Sequence, residues 1–312
     1  MNGDLRPQGR PWLQISLFLC TLVTTTLAGA MQHGVDPLSR PGEIYLGLPF
    51  AVTLMTILLV HEMGHYLTSR YHGVKATLPY FIPAPSFIGT FGAFIKMNSP
   101  PPDRRSLFDV AAAGPLAGLA LAIPAVVLGL RLSTVSPADT GAGGLTLGSS
   151  LLLSFLSQAT LGILPDEANI VMHPIGFAGW IGLLVTAMNL LPVGQLDGGH
   201  VVYALFGERY LWVSRAALVG ILSLGLLRWW DGWLVWGLLL LFLGLRHPAP
   251  ADPHTPLDPK RKFMGWVMLA ILAVTFIPVP FSVQEPSLRQ ERLEPRPTAS
   301  PLVEARLHGG PL

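Results

Sequence analysis

A chain of 312 residues that is 51% hydrophobic, only 12% charged and has a mean hydropathy of +0.51 reads as a polytopic membrane protein and excludes an ordinary soluble enzyme. Its formal net charge of +2, with no basic run interleaved with aromatics, excludes a nucleic-acid partner. The lone Cys20 excludes both a disulfide framework and a cysteine-built zinc site, and reads as a small buried hydrophobe.

The first apolar run, 12–30, follows Arg6 and Arg10 and ends in Ala28-Gly29-Ala30. That ending is similar to a secretory cleavage site, but a run of about 19 residues is long enough to span, and a retained first helix is expected. The second run, 44–60, leads directly into His61-Glu62-Met63-Gly64-His65. Histidines at i and i+4 of a helix point the same way, so both imidazoles can bind one Zn²⁺. Glu62 stands where a general base for a zinc-activated water is needed. A charged residue inside a span costs about 2.5–3.5 kcal/mol, so a chance His-Glu-His flanked by apolar sequence is the weaker reading. The pattern predicts proteolysis within the bilayer.

Segment 74–102 is neither a span nor a polar loop. Its prolines and the run Gly89-Thr90-Phe91-Gly92-Ala93-Phe94-Ile95 predict a strand or a re-entrant hairpin. An exposed strand edge there can pair with an unfolded peptide, which makes Gly89, Thr90, Phe91 and Gly92 tentative substrate-binding residues; the plainer alternative is a proline-rich connection on the inner leaflet. The next span, 108–130, carries Gly114-Pro115-Leu116-Ala117-Gly118, a GxxxG spacing that predicts close helix packing around the catalytic pair. Run 145–164 is broken by glycine and serines and is read as re-entrant or interfacial on the outer side.

Two histidines leave a catalytic zinc one protein ligand short of the usual three. Span 174–191 is followed by Pro192-Val193-Gly194-Gln195-Leu196-Asp197-Gly198-Gly199-His200. Asp197 falls at the depth of His61 and His65 and is the expected third ligand; a helix-ending turn is its structural alternative. Proline and glycines are expected to break this helix, which lipid tolerates only beside protein or a water-filled cavity. Asn189 can satisfy backbone groups freed by Pro192, donate to a developing oxyanion, or do both. His200 is read as a non-ligand, because a fourth protein ligand would close the site. His173 is read as an end-of-span residue and His33, His72, His247, His254 and His308 as solvated.

Further spans are expected at 211–227, 229–245 and 263–280, with Trp229, Trp230, Trp233 and Trp236 as interface anchors. With the N-terminus inside and 145–164 not crossing, Arg6, Arg10, Arg70, Lys75, Lys96, Arg104, Arg105, Arg209, Arg246, Lys260, Arg261 and Lys262 lie inside. Only Arg40, Arg131 and Arg228 then occupy outer loops; the tail after Pro280, with four more Arg, would also lie outside, since such a tail can translocate despite its charge. The metal motifs share the inner side in this arrangement. Segment 249–258 reads as a proline-rich connection and 284–312 as disordered.

His61-Glu62-Met63-Gly64-His65, together with Asn189, Pro192, Leu196, Asp197 and Gly198 in the spacing N-x-x-P-x-x-x-L-D-G, resembles the site-2 protease family of intramembrane zinc metalloproteases. Pro83 to Phe94 and Asp109 to Gly118 resemble the branch of that family found in cyanobacteria, other bacteria and plant plastids. The resemblance covers roughly 44–206. It implies zinc held by both histidines and the aspartate, and a segment 74–102 that engages substrate. Neither a PDZ domain between the motifs nor the long soluble N-terminal region of this branch is expected within these 312 residues.

The expected fold is therefore an all-α polytopic membrane protein, with six to eight transmembrane helices and a re-entrant β-hairpin-like segment. Its parts are an N-terminal segment with the first helix (1–43), a catalytic core (44–206), accessory helices (207–282) and a disordered tail (283–312). The expected partners are a transmembrane protein substrate and the lipid bilayer, with one Zn²⁺ per chain. A bacterial plasma membrane is the expected location, with a thylakoid membrane as alternative, and the site near the cytoplasmic face. The rival readings are a catalytically silent zinc scaffold and a zinc or proton transporter.

Overall fold

The computed structural model describes residues 11–137, 144–165, 168–246 and 248–284. In chain order, α1 (Pro11–Gln32) leads through a 3₁₀ turn (Pro41–Gly47) into α2 (Leu48–Tyr71), and β1 (Tyr80–Pro83) and β2 (Thr90–Phe94) precede α3 (Arg104–Leu132). Then come β3 (Thr134–Pro137), β4 (Gly144–Leu147), α4 (Leu151–Leu161), β5 (Ala168–Val171) and α5 (Pro174–Asn189). The chain continues through α6 (Asp197–Phe206), α7 (Tyr210–Leu226), α8 (Gly232–Leu243) and α9 (Pro259–Thr275) to β6 (Phe281–Gln284). Beyond Gln284, the tail expected to be disordered lies outside the described residues, as do His247 and His308.

Among the described residues, four stretches are long and apolar enough to cross a membrane: Pro11–Gln32, Pro41–Tyr71, Arg104–Leu132 and Asp197–Leu226. Helices α4, α5 and α8 are apolar but shorter. The run at 145–164 divides at Gly148-Ser149-Ser150. There the Ser150 hydroxyl accepts from Leu153 N at 3.1 Å and caps α4. At 11 residues α4 is about 16 Å long, too short for a hydrocarbon core of about 30 Å.

The helical fold carries three two-stranded antiparallel sheets. β1 pairs with β2 (Tyr80↔Phe94, Phe81↔Ala93), the hairpin foreseen in 74–102. β3 pairs with β5 and β4 with β6, pairings that no local pattern announced. Between them these contacts define two ends. At one end, Arg261 at the start of α9 donates to Asp109 near the start of α3, Nη2 to Oδ2 at 2.6 Å. At the other, Phe281 beyond α9 pairs with Leu147 beyond α3. Helix α9 thus runs from one end of the bundle to the other.

Helices α2, α3 and α5 share one core, with Phe50, Leu54 and Ile57 packed among Ala122, Val126, Leu130, Trp180 and Leu183. Lipid tails are as apolar as leucine, so close packing and interhelical hydrogen bonds hold such a core rather than escape from water. Several side chains lie elsewhere than expected. Trp233 is buried, and its Nε1 donates to Pro278 O at 2.6 Å; Trp229, 52% exposed, matches an interface position. Cys20 is exposed on α1. His72 is not simply solvated: its Nε2 lies 3.0 Å from Asp109 Oδ2. The Trp233 and His72 differences depend on distant partners that helical periodicity does not reveal.

Candidate metal centre

Helix α2 buries Phe50, Leu54, Leu58, His61, His65 and Ser69. Steps of three and four put all six on one face, so the histidines continue the apolar stripe inward. His61 Nε2 and His65 Nε2 lie 3.2 Å apart. Asp197 Oδ2 arrives from α6, at 3.5 Å from His61 Nε2 and 3.3 Å from His65 Nε2. Among the described residues these three form the group able to hold a metal ion.

The spacing can be tested against zinc. Bonds of about 2.0–2.1 Å at tetrahedral angles put neighbouring ligand atoms about 3.3–3.4 Å apart, and the three observed separations of 3.2, 3.3 and 3.5 Å bracket that value. Hydrogen-bond logic agrees. His65 Nδ1 lies 2.8 Å from the Val110 carbonyl, which can only accept, so Nδ1 carries the proton. In the neutral ring Nε2 is then a bare lone pair turned toward a carboxylate and a second imidazole. Such a convergence of acceptors suits a cation, and the carbonyl also fixes the ring's orientation. The residues therefore fit zinc.

Helix α3 reaches this close because it lacks side chains there. A Cβ on Gly114 would sit 2.0 Å from His65 Nε2, and one on Gly118 would sit 2.9 Å from His61 Nδ1. The GxxxG spacing thus faces the two histidines, one glycine to each ring.

Asp197 is not placed by a continuing helix. Helix α5 stops at Asn189, and the chain turns through 190–196. A new helix starts at Asp197, which puts its carboxylate at a helix N-terminus, where negative charge is favoured. Gly198 allows that start to nest against the turn, since a Cβ there would be 1.9 Å from Leu190 O. Sequence reading placed Gly198 and Gly199 as weakening a helix end; they belong to the first turn of α6.

Glu62, buried beside His61, and the three candidate ligands open onto a cavity of about 650 Å³. Its wall includes Ala93 to Pro101, Val110, Asn189, Gln195, His200 and, from a remote loop, Pro248 and Ala249. The Asn189 amide lies 3.4 Å from His61 Nε2 and lines the same cavity. The Ile95 backbone N–H is directed at Glu62. The tentative substrate residues lie beside this wall rather than in it. The Thr90 hydroxyl donates to Ile82 O at 2.8 Å, Phe91 is exposed, Gly92 turns at φ +97°, and Gly89 presses against α1. Sequence reading missed the Val110 carbonyl and the Ile95 amide, backbone groups without a residue signature. It also missed Gln195, Lys96, Asn98 and Ser99, whose polarity next to apolar runs was a usable signal.

Comparisons with known proteins follow the same residues. The profile of peptidase family M50 matches 49–224. The "Probable zinc metalloprotease EGY1, chloroplastic" of Arabidopsis thaliana is 37% identical over 240 residues, covering 74% of this chain and 43% of the relative. The protein of the same name from Oryza sativa subsp. japonica is 42% identical over 187 residues, 58% of this chain and 32% of the relative. "Probable zinc metalloprotease EGY2, chloroplastic" of Arabidopsis thaliana is 33% identical over 281 residues, 87% of this chain and 50% of the relative. The chain spans about a third to a half of the length of these relatives. No solved structure matches it significantly. With the motif pair and its geometry inside the matched region, the chain belongs to peptidase family M50, the site-2 protease family.

Proposed function

We propose that this chain is an intramembrane zinc metalloprotease that hydrolyses a peptide bond within or near the transmembrane segment of a membrane protein. The observation that carries this reading is the set of three donor atoms at zinc spacing, with Glu62 beside them on the wall of an open cavity. His61, His65 and Asp197 would hold the ion. Zinc in such a site supplies Lewis acidity, bringing the pKa of water toward about 7 and polarising a carbonyl.

The remaining steps belong to the chain. Glu62 takes the proton of the attacking water and returns it to the leaving amine. The Asn189 amide donates to the substrate backbone or to the oxygen that gains charge. The hairpin side of the cavity, ending in Ile95, lies against the opened substrate strand. A helical substrate hides its carbonyls in i→i−4 bonds and must unwind locally before it reaches Glu62.

In this reading α1, α2, α3, α5, α6 with α7, the apolar run 229–245 that contains α8, and α9 cross the bilayer, and residues 44–206 form the catalytic core. The site lies near the cytoplasmic face, in a bacterial plasma membrane or, alternatively, a thylakoid membrane. The partners are lipid and a transmembrane substrate. The test is cleavage of a synthetic transmembrane peptide by purified protein in detergent, with chelator and with zinc restored. Cleavage that stops with chelator and returns with zinc is expected. One bound zinc without any cleavage would favour the silent scaffold.

A further inference from the structure

Helix α1 holds the hairpin by its backbone. Gln14 Nε2 donates to Leu78 O at 3.1 Å, Thr24 Oγ1 to Gly89 O at 2.7 Å, and Gln32 Nε2 to Phe87 O at 3.0 Å. Other threonines of α1 simply fold back on their own helix: Thr21, Thr25 and Thr26 each donate to the i−4 carbonyl at 2.7 Å. Thr24 differs. Its contacts with its own helix are 3.1 and 3.2 Å, and its shortest bond leaves the helix for Gly89.

The approach is close. Gly89 has φ +83°, and a Cβ there would lie 2.5 Å from Thr25 Cα. Phe18 of α1 meets Phe81 of β1 edge-on at 5.0 Å. Gln14 and Gln32 are separated by about 27 Å of helix, so the segment from Leu78 to Phe87 follows α1 through nearly a full hydrocarbon thickness. Non-helical backbone at that depth is tolerated only when protein satisfies its polar groups, and α1 provides these three donors. Beyond Gly89, the same strand delivers Ala93, Phe94 and Ile95 to the cavity wall, with the Ile95 N–H toward Glu62.

We propose that Gln14, Thr24 and Gln32 are positioning residues: α1 sets the depth of the hairpin, and so selects which substrate peptide bond lies opposite Glu62. This rests on the protease reading for its consequence but not for its mechanical core. A hairpin released from α1 can slide along the helix, and a strand laid against it then presents neighbouring bonds.

The test compares wild type with Thr24→Ser, which keeps the donor, Thr24→Val, which loses it at equal size, and Thr24→Val combined with Gln14→Leu. Amide hydrogen exchange across 84–95 is measured first, together with zinc content. It needs no activity, so a failure of the protease reading stays separate from a failure here. Thr24→Val should exchange about fivefold faster, the factor for one lost hydrogen bond of ordinary net worth, and the double variant about thirtyfold faster for two, with zinc retained and Thr24→Ser unchanged. Cleavage products of a transmembrane peptide, mapped by mass, should spread from one bond to its neighbours in the Val variants only. Should the double variant fail to fold, the Ser and Val single variants decide. Equal exchange in Thr24→Val, Thr24→Ser and wild type would overturn the proposal, as would an unshifted cleavage position in a Val variant with faster exchange.

Discussion

The two walls of the cavity are held by different physics. On one side, α2 and α3 meet through Gly114 and Gly118, so the ligand histidines sit where any α3 side chain would stand. On the other, the hairpin hangs from α1 by three side-chain donors to backbone carbonyls. Packing leaves no room for an added atom and suits a metal site, whose ligands must stay within tenths of an ångström. Hydrogen bonds to a two-stranded hairpin are individually modest and suit a surface that must receive a strand. On the proposed reading, metal binding belongs to the packed wall and substrate register to the bonded wall.

The largest effect should separate chemistry from both walls. Glu62→Gln changes neither packing nor clasp. It should lower turnover by roughly 10²–10⁴-fold, the range for a lost general base, while zinc content and substrate binding persist. Substantial zinc-dependent turnover by this variant would remove Glu62 as the base.

Next comes the packed wall. Gly114→Ala places a methyl group 2.0 Å from the His65 Nε2 position, so the ring or the helix must move. Zinc affinity should fall by about 10–100-fold, as when a ligand's supporting shell is lost, measured by competition with a chromophoric chelator. Wild-type affinity would mean that the glycine contact does not govern the site.

The bonded wall is tested from the substrate side. Replacing an intramembrane Gly with Leu makes unwinding harder by roughly 1 kcal/mol, which should slow initial cleavage about fivefold; an intramembrane Pro should give a larger effect. Equal rates for the matched substrates would defeat the need for an opened strand.

The smallest effect lies outside both walls. Asp258 caps α9 and bonds Arg261, which holds its carboxyl down at about 2. A lowered folded-state value stabilises the protein above the ordinary carboxylate range, and the contribution disappears as pH falls through the folded value. Asp258→Asn should therefore slightly lower the melting temperature at neutral pH and flatten its decline from about pH 4 to about pH 2. An unchanged decline would mean that this cap does not couple to folding.

Legibility in the sequence followed the range of the interaction. His61, Glu62 and His65 were readable because four residues bring a helix face round again. Asp197 was readable because few other carboxylates lie near that depth, although its place at the start of a new helix was not. Gly114 and Gly118 showed as a packing motif, and the hairpin as glycines among apolar residues. What stayed hidden depends on backbone or on distance. The Val110 carbonyl and the Ile95 amide have no residue signature. The pairs β3–β5 and β4–β6, the Asp109–Arg261 bridge and the lining by Pro248 and Ala249 join segments that only the folded chain brings together. Gln14 and Thr24 carry no local signal of their role, because their partners are carbonyls more than sixty residues away.

The most direct test of the central claim is zinc-edge X-ray absorption on the purified Glu62→Gln protein in detergent, with metal content measured on the same sample. The account predicts about one zinc per chain, with two imidazole nitrogens and oxygen ligands at about 2.0–2.1 Å, and loss of the ion in Asp197→Ala. A third imidazole from His200, or full occupancy in Asp197→Ala, would contradict it.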